Sequence, residues 1–245
     1  MSGNSNEKVL KAEPRNPTKL YGGKGSEDYK YFANDFHQHR LTQWTSIYLQ
    51  CAPIARREDV HSVLEFGSGR NLTKFIAEYL GISHTSVDVS ERFRPDHVSS
   101  ILDFPFRDRK YDLVCSFQCL EHNPLEELDG LIAHMVQFTN RYLYVSLPYA
   151  GSWFSFSFNI RIPKFHFSVR KYVVSDLVGG RRIDVRPLRS RPPERFHSAH
   201  WWEVGRPGTR KKTMIAKFES HGLKLVDSYH NVFYRHHVFF LFERI

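Results

Sequence analysis

The stretch His61–Asn71, His-Ser-Val-Leu-Glu-Phe-Gly-Ser-Gly-Arg-Asn, constrains this chain most. Val63-Leu64-Glu65-Phe66 reads as a short buried strand and Gly67-Ser68-Gly69 as a tight turn. Leu72–Leu80 reads as the helix that follows. Strand, glycine turn and helix form the nucleotide-binding opening of a doubly wound α/β sheet. Glycine lets the backbone approach a ligand closely, and a helix N-terminus favours negative charge there. Glu65, at the strand's end, is expected to face the ligand and not the core. A plain βα turn would read the same way, so the neighbouring segments must decide. The third glycine of the dinucleotide fingerprint would fall near Leu72, which disfavours nicotinamide and flavin. No Lys-Ser or Lys-Thr follows the glycines at P-loop spacing, which disfavours a nucleoside triphosphatase.

The segments around this opening continue the α/β rhythm. Gly81 stops the helix. Thr85–Val89 reads as a second strand carrying Asp88, about twenty positions after the turn, where a carboxylate can accept hydrogen bonds from a ribose diol. His97–Ile101 reads as a third strand and Tyr111–Ser116 as an apolar, central fourth. Phe117–His122 leaves that strand on the ligand side. Leu125–Phe138 reads as an amphipathic helix and Arg141–Pro148 as a fifth strand that stops at proline. Arg210–His221, Leu223–Asp227 and His237–Glu243 read as a final helix and two strands.

Between Tyr149 and Gly208 the rhythm fails. This segment is aromatic and basic, too aromatic for a solvated tail, and reads as a cap or insertion beside the sheet. Ahead of the first strand, Ser26–Cys51 has helical spacing, and Pro53 with Arg56–Asp59 reads as a polar break. A glycine loop, Leu20–Gly25, is a candidate ligand cover. The expected organisation is therefore four stretches. Residues 1–60 form a polar tail and leading helices, and 61–149 the ligand-binding half of the sheet. Residues 150–208 form the cap, and 209–245 complete the sheet.

No run of about 18 apolar residues is present, so no membrane-spanning helix is expected. The polar start lacks the apolar segment of a signal peptide, and Cys51, Cys115 and Cys119 suit a reducing cytoplasm. The net charge of +9 admits a nucleic acid, a membrane surface or a phosphorylated substrate as partner. Much of the excess arginine falls between Arg161 and Arg210.

Taken together, these segments resemble the class I S-adenosylmethionine-dependent methyltransferases, in particular the small-molecule branch with a Leu-Glu-His triplet after the fourth strand. The matching residues are Leu64–Gly69, Val87-Asp88-Val89, Phe104-Pro105-Phe106, Tyr111–Val114, Leu120–Pro124 and Ser146–Tyr149. A shorter resemblance, over His200–Gly205 and Tyr234–Phe240, is to methyltransferases of polysaccharide and cell-envelope glycan clusters. The resemblance implies a seven-stranded Rossmann-like sheet whose last strand is antiparallel, between the fifth and sixth. It implies S-adenosylmethionine as cofactor, held by Glu65, Phe66, Gly67, Ser68 and Gly69 at the methionine end. Asp88 and Val89 would hold ribose and adenine, with Ser100, Ile101, Ser116, Phe117 and Gln118 lining the remainder. Ser100 stands where many relatives carry an adenine-binding aspartate, with Asp103 three residues on. Gln118 offers a neutral amide where a hard cation needs a carboxylate, so no metal is expected.

Methyl transfer to an alcohol needs alignment, exclusion of water and a base. His122 and His200 are the candidate bases, with His166 behind them. Tyr149, Trp201 and Glu203 are candidate substrate contacts, Trp201 and Trp202 as sugar-stacking surfaces. Arg181 and Arg182 are candidate phosphate ligands. The expected activity is O-methylation of a sugar or glycan precursor, a nucleotide sugar or a glycolipid. Two other readings stand beside it: an RNA methyltransferase, favoured by the charge but lacking a recognisable RNA-binding module, and a non-catalytic scaffold that keeps the fold.

Overall fold

The computed structural model describes residues 41–150, 152–162, 165–175, 200–231, 233 and 236–245. The sheet-forming elements begin with helix α1 (Leu41–Arg56), strand β1 (Ser62–Phe66), helix α2 (Leu72–Tyr79) and strand β2 (Ser83–Asp88). Strands β3 (His97–Val98) and β4 (Tyr111–Phe117), helix α3 (Leu128–Phe138) and strand β5 (Thr139–Pro148) follow. Strands β6 (Ser152–Ile162) and β7 (Phe165–Ser175) come next, then helix α4 (Lys211–Glu219) and strands β8 (Leu223–His230) and β9 (His237–Arg244). Seven of the strands form one sheet in the order β3-β2-β1-β4-β5-β9-β8. Strands β3, β2, β1, β4 and β5 are parallel. Strand β9 runs antiparallel to both β5 and β8 and lies between them, as the resemblance implies.

Alternation along β1 sorts the two faces of the sheet. Val63 packs with Ile54 of α1, Ala77 of α2 and Tyr144 of β5. Leu64 and Phe66 turn to the opposite face and join Phe104, Leu128, Met135 and Phe138. Phe66 sits edge-on to Phe104 at 5.7 Å and to Phe138 at 5.8 Å, so the Phe-Pro-Phe loop plugs this face beneath α3. Polar side chains tie the edges. One Asp112 carboxylate oxygen accepts from the Ser62 amide and hydroxyl and from the His61 amide, joining β4 to the start of β1. The Asp96 carboxylate accepts from the Ser86 amide and hydroxyl and from Lys74, joining β2 to α2.

Several boundaries differ from the sequence reading, each for a local reason. Pro53 is no break: α1 continues through it to Arg56. A proline inside a helix leaves the carbonyl four residues back without its N–H partner. That carbonyl is Leu49, and the Tyr144 hydroxyl donates to it at 2.7 Å. The third strand is two residues long, not five. After the Ser99 amide bonds the Asp88 carbonyl, the Ser100 hydroxyl turns to the Asp103 carboxylate at 2.6 Å and the chain leaves the sheet. The Leu125–Phe138 helix opens with a 3-10 turn over Leu125–Glu127 before α3 proper.

The stretch expected to be a cap contains a two-stranded antiparallel sheet, β6 with β7, paired from Ser152 with Ser175 to Ile162 with Phe165. The alternation Phe154-Ser155-Phe156-Ser157-Phe158 is the strand period that announces it. The Leu20–Gly25 loop and most of the leading helical stretch lie outside the described residues.

Candidate functional site

The carboxyl ends of β1, β2 and β4 part over a cleft of about 450 Å³. Its walls bring together Phe66, Gly67 and Gly69 from the glycine turn with Asp88 and Val89 from the end of β2. Ser100 and Ile101, and then Gln118 and His122, close it from the other side. These residues are far apart in the chain, and all but His122 are expected cofactor contacts. Phe93, Cys119 and Asn123 also line the cleft. Asn123 falls in the Leu120–Pro124 motif and Cys119 in the Phe117–His122 segment expected on the ligand side, while no motif marked Phe93.

The glycine turn is shaped from two sides. Gly67 has φ +72°, and a Cβ there would lie 2.5 Å from Cys119 Sγ and 2.7 Å from Cys119 Cβ. Both backbone conformation and space therefore demand glycine. Gly69 has φ +48° and open space in front of it. The Gly67 amide bonds the Val87 carbonyl at 2.8 Å, which lays the turn across the end of β2. Asp88 is 7 % exposed, and its carboxylate is the clamp: one oxygen accepts from the Gly69 amide at 2.9 Å, the other from the Ser90 amide at 2.8 Å. A carboxylate oxygen has a second lone pair, so the clamp leaves capacity for ribose hydroxyls. Asp103, the possible substitute for Ser100 in adenine recognition, lines a different surface recess and bonds Ser100 instead.

Three expected cofactor contacts lie behind the wall. Ser68 and Ser116 are buried, and Phe117 packs edge-on to Tyr144 at 5.2 Å in the opposite core face. Glu65 corrects the sequence reading. It does not face the cleft but is 3 % exposed, on the Val63 side of the sheet, where its Oε2 lies 3.2 Å from His84 Nε2. Alternation in β1 dictates this: Phe66 and Leu64 take the other face. Gln118 adopts φ +52°, and its amide donates to the Ser146 hydroxyl at 3.2 Å, which fixes it to β5.

Beyond Gln118 the wall is polar. The segment from His200 to Val204 docks on the turn after β4 and on the end of β5. The Trp201 amide bonds the Glu121 carbonyl at 2.9 Å, and Trp202 Nε1 donates to the Asn123 carbonyl at 3.0 Å. The Val204 amide donates to the Pro148 carbonyl and the Ala150 amide to the Val204 carbonyl, each at 2.8 Å. His200 is thereby set between two carboxylates, with Nδ1 3.5 Å from Glu203 and Nε2 4.0 Å from Glu121. Its ring meets His122 at 5.3 Å, edge to face. Glu203 in turn accepts from Arg206 at 3.1 Å.

Burial sets the protonation of this group. Glu121 is fully buried, neither carboxylate oxygen accepts a hydrogen bond, and desolvation lifts its pKa to about 8. The Glu203 carboxylate raises His200, against the opposing effect of burial. His237 is driven down to about 4 by burial, with His236 and His200 adding repulsion. One atom each from Glu121, His122 and His200 lies within 4.8 Å of the others, a spacing that one divalent cation can bridge.

The expected substrate contacts divide. Glu203 is part of the group just described. Tyr149 is 3 % exposed and packs against His230 at 4.5 Å, so it belongs to the floor. Trp202 is buried, and Trp201 packs partly on the core. Arg181 and Arg182 lie outside the described residues, as does the side chain of His166.

No protein-family model matches the chain, and no curated protein is significantly similar to it in sequence. Among solved structures it is similar to an S-adenosylmethionine-dependent methyltransferase from Clostridium acetobutylicum, with TM-score 0.53 and 9% identity over 88% of this chain and 98% of that one. It is also similar to 1,6-didemethyltoxoflavin-N1-methyltransferase from Burkholderia thailandensis, with TM-score 0.55 and 12% identity over 88% and 84%. A third is magnesium protoporphyrin IX methyltransferase from Synechocystis, solved with S-adenosylhomocysteine, with TM-score 0.54 and 14% identity over 92% and 91%. The described architecture is thus the Rossmann-like fold of class I methyltransferases. At these identities the likeness is one of fold.

Proposed function

We propose that the chain is an S-adenosylmethionine-dependent methyltransferase acting on a small hydroxylated acceptor, a sugar or glycan precursor. The observation that carries the reading is the convergence on one cleft of Gly67, Gly69, Asp88, Val89, Ser100, Ile101 and Gln118. The residues fit the cofactor: a cradle at Gly67 that a side chain would fill, a second carboxylate capacity at Asp88, and a buried Ser68 hydroxyl without a hydrogen bond. The bound cofactor supplies an electrophilic methyl group on a sulfonium. Asp88 holds the ribose diol, Val89 and Ile101 flank the base, and the open face of Gly69 receives the methionine part. Similarity to S-adenosylmethionine methyltransferases in fold supports the same cofactor.

On the acceptor side, His122 lines the cleft and His200 stands behind it. His122 would take the acceptor hydroxyl's proton as the methyl carbon exchanges its bond to sulfur for one to oxygen, the thioether S-adenosylhomocysteine being the leaving group. His200, paired with Glu203, which Arg206 in turn bonds, backs the His122 ring. Holding donor and acceptor in line is the larger contribution, since alignment supplies about 7–11 kcal/mol of such barriers. The transfer proposed is metal-free. Gln118 offers no carboxylate, and a cation beside Glu121 must displace the proton that burial retains there up to about 8.

Calorimetry with S-adenosylhomocysteine tests the cofactor: one site per chain is expected, and absence of binding overturns the reading. Turnover of labelled S-adenosylmethionine on sugar nucleotides tests the acceptor class, and it should survive dialysis against EDTA.

A further inference from the structure

Strands β6 and β7 make a hairpin whose two faces differ in kind. Each strand has 11 residues, about 35 Å of extended chain. Paired residues of an antiparallel ladder share a face, and the face alternates at each step. One face therefore takes Phe154, Phe156, Phe158, Ile160 and Ile162 from β6. Their partners on β7 are Val173, Lys171, Val169, Phe167 and Phe165, so Lys171 alone interrupts an apolar surface. The other face begins with Trp153 and Val174 and then turns polar: Ser157 is opposite Arg170, Asn159 opposite Ser168 and Arg161 opposite His166. Two strands alone are marginally stable in water, and a continuous apolar face needs a cover. No other described helix or strand runs alongside either strand of the hairpin. Charge narrows what the cover can be. Gly130–Ser175 contains no Asp or Glu, while Arg161, Lys164, Arg170 and Lys171 fall within residues 152–175. A surface apolar within and anionic at its boundary is a bilayer leaflet carrying acidic phospholipids. Nucleic acid fits less well. Sheets that bind single strands set stacking rings beside cations, whereas Ile160, Ile162, Val169 and Val173 offer no ring and Arg161 and Arg170 belong to the opposite face.

We propose that the β6–β7 hairpin is a membrane-docking surface: its Phe154–Ile162 face enters the boundary between headgroups and acyl chains of an anionic leaflet, and its cations meet lipid phosphate. The chain then lies on the membrane and does not cross it; no described helix is long and apolar enough to span a bilayer. Backbone chemistry sets the depth. The outer edges of a two-stranded sheet carry unpaired N–H and C=O groups, which hydrocarbon would leave unsatisfied. At headgroup level, water and phosphate supply their partners. Docking is a property of the hairpin and does not depend on which ligand fills the cleft.

The test sediments the full chain with vesicles of phosphatidylcholine alone and of phosphatidylcholine mixed with phosphatidylglycerol. Binding to the mixed vesicles is expected, at least about tenfold tighter than to phosphatidylcholine alone. Phe158→Asp, in the middle of the apolar face, should weaken it at least about tenfold more than Ser157→Asp, which adds the same charge to the opposite face. Thermal unfolding shows that each variant is folded. Absence of sedimentation, or equal loss in the two variants, overturns the proposal. So does either of two results without vesicle binding: a dimer in light scattering that Phe158→Asp dissolves, which places a second copy on this face, or binding of poly(U) that the same variant loses, which places nucleic acid there. If Phe158→Asp does not fold, hydrogen exchange of the wild-type chain decides. Amides of residues 152–175 should exchange more slowly with the mixed vesicles while those of β1 and β4 stay unchanged; no slowing in the hairpin overturns the proposal.

Discussion

The Tyr144 hydroxyl donates to the Leu49 carbonyl at 2.7 Å, the carbonyl that Pro53 deprives of its helical N–H. The same hydroxyl lies 2.6 Å from that of Tyr229 on β8. A central strand, an outer strand and the leading helix are thus joined through one oxygen. Tyr144→Phe leaves the carbonyl without a donor, at a cost of about 1–3 kcal/mol. Urea unfolding measures it. In a Pro53→Ala background the helix supplies its own N–H, so the same substitution should cost clearly less. An equal cost in both backgrounds would show that the hydroxyl does not compensate the proline.

The Asp88 clamp gives a second expectation. Asp88→Ala removes the acceptor of both the Gly69 and the Ser90 amides, loosening the turn and taking away the ribose contact together. Calorimetry should show S-adenosylhomocysteine binding weakened by at least about a hundredfold, as two hydrogen bonds to a charged group imply. Binding within threefold of wild type would place the ribose elsewhere.

Gly67 permits a stricter test. Gly67→Ala meets both a disfavoured φ and the Cys119 side chain. Cys119→Ala should not rescue it, because Cys119 Cβ still lies 2.7 Å from the new methyl group. Thermal unfolding of the single and double variants is the measurement. Recovery in the double variant would mean that the sulfur alone imposes glycine.

Two buried groups tilt stability with pH in opposite directions. Glu121 keeps its proton up to about 8 when folded against an ordinary 4.5, so the folded state holds the extra proton in that window and stability falls as pH rises through it. His237 is about 4 when folded against 6.5, so its contribution is present above 6.5 and is lost as pH falls toward 4. That loss is at most about 3 kcal/mol. Melting temperatures should therefore decline from pH 6.5 to 8, and Glu121→Gln should flatten that limb. A decline of the same steepness in the variant would place its origin elsewhere.

How much of this was legible beforehand follows from the range of each cause. The βα opening and the place of Asp88 at the end of β2 rest on local pattern and chain order, and the sequence reading states them; the antiparallel insertion of β9 came only from the family resemblance. The direction of Glu65 was misread because a strand-end carboxylate was assigned to the ligand without following the alternation from Val63. His84 went unremarked because its partner is on a neighbouring strand, at a register no spacing encodes. Pro53 read as a break because the donor that tolerates it, Tyr144, arrives from 91 positions later by the numbering. His122 and His200 were each named, but their edge-to-face meeting depends on the docking of Trp201 on Glu121.

Strand β9 has a consequence for how such a chain is made. It separates β5 from β8, yet among the described strands it follows both in the chain. Until residues 237–244 emerge, β5 waits as an apolar rim with a row of unpaired amides, open to strands of other nascent chains. A chain cut short before residue 237 would therefore yield an aggregating product, even though the described residues that line the cleft are already in place.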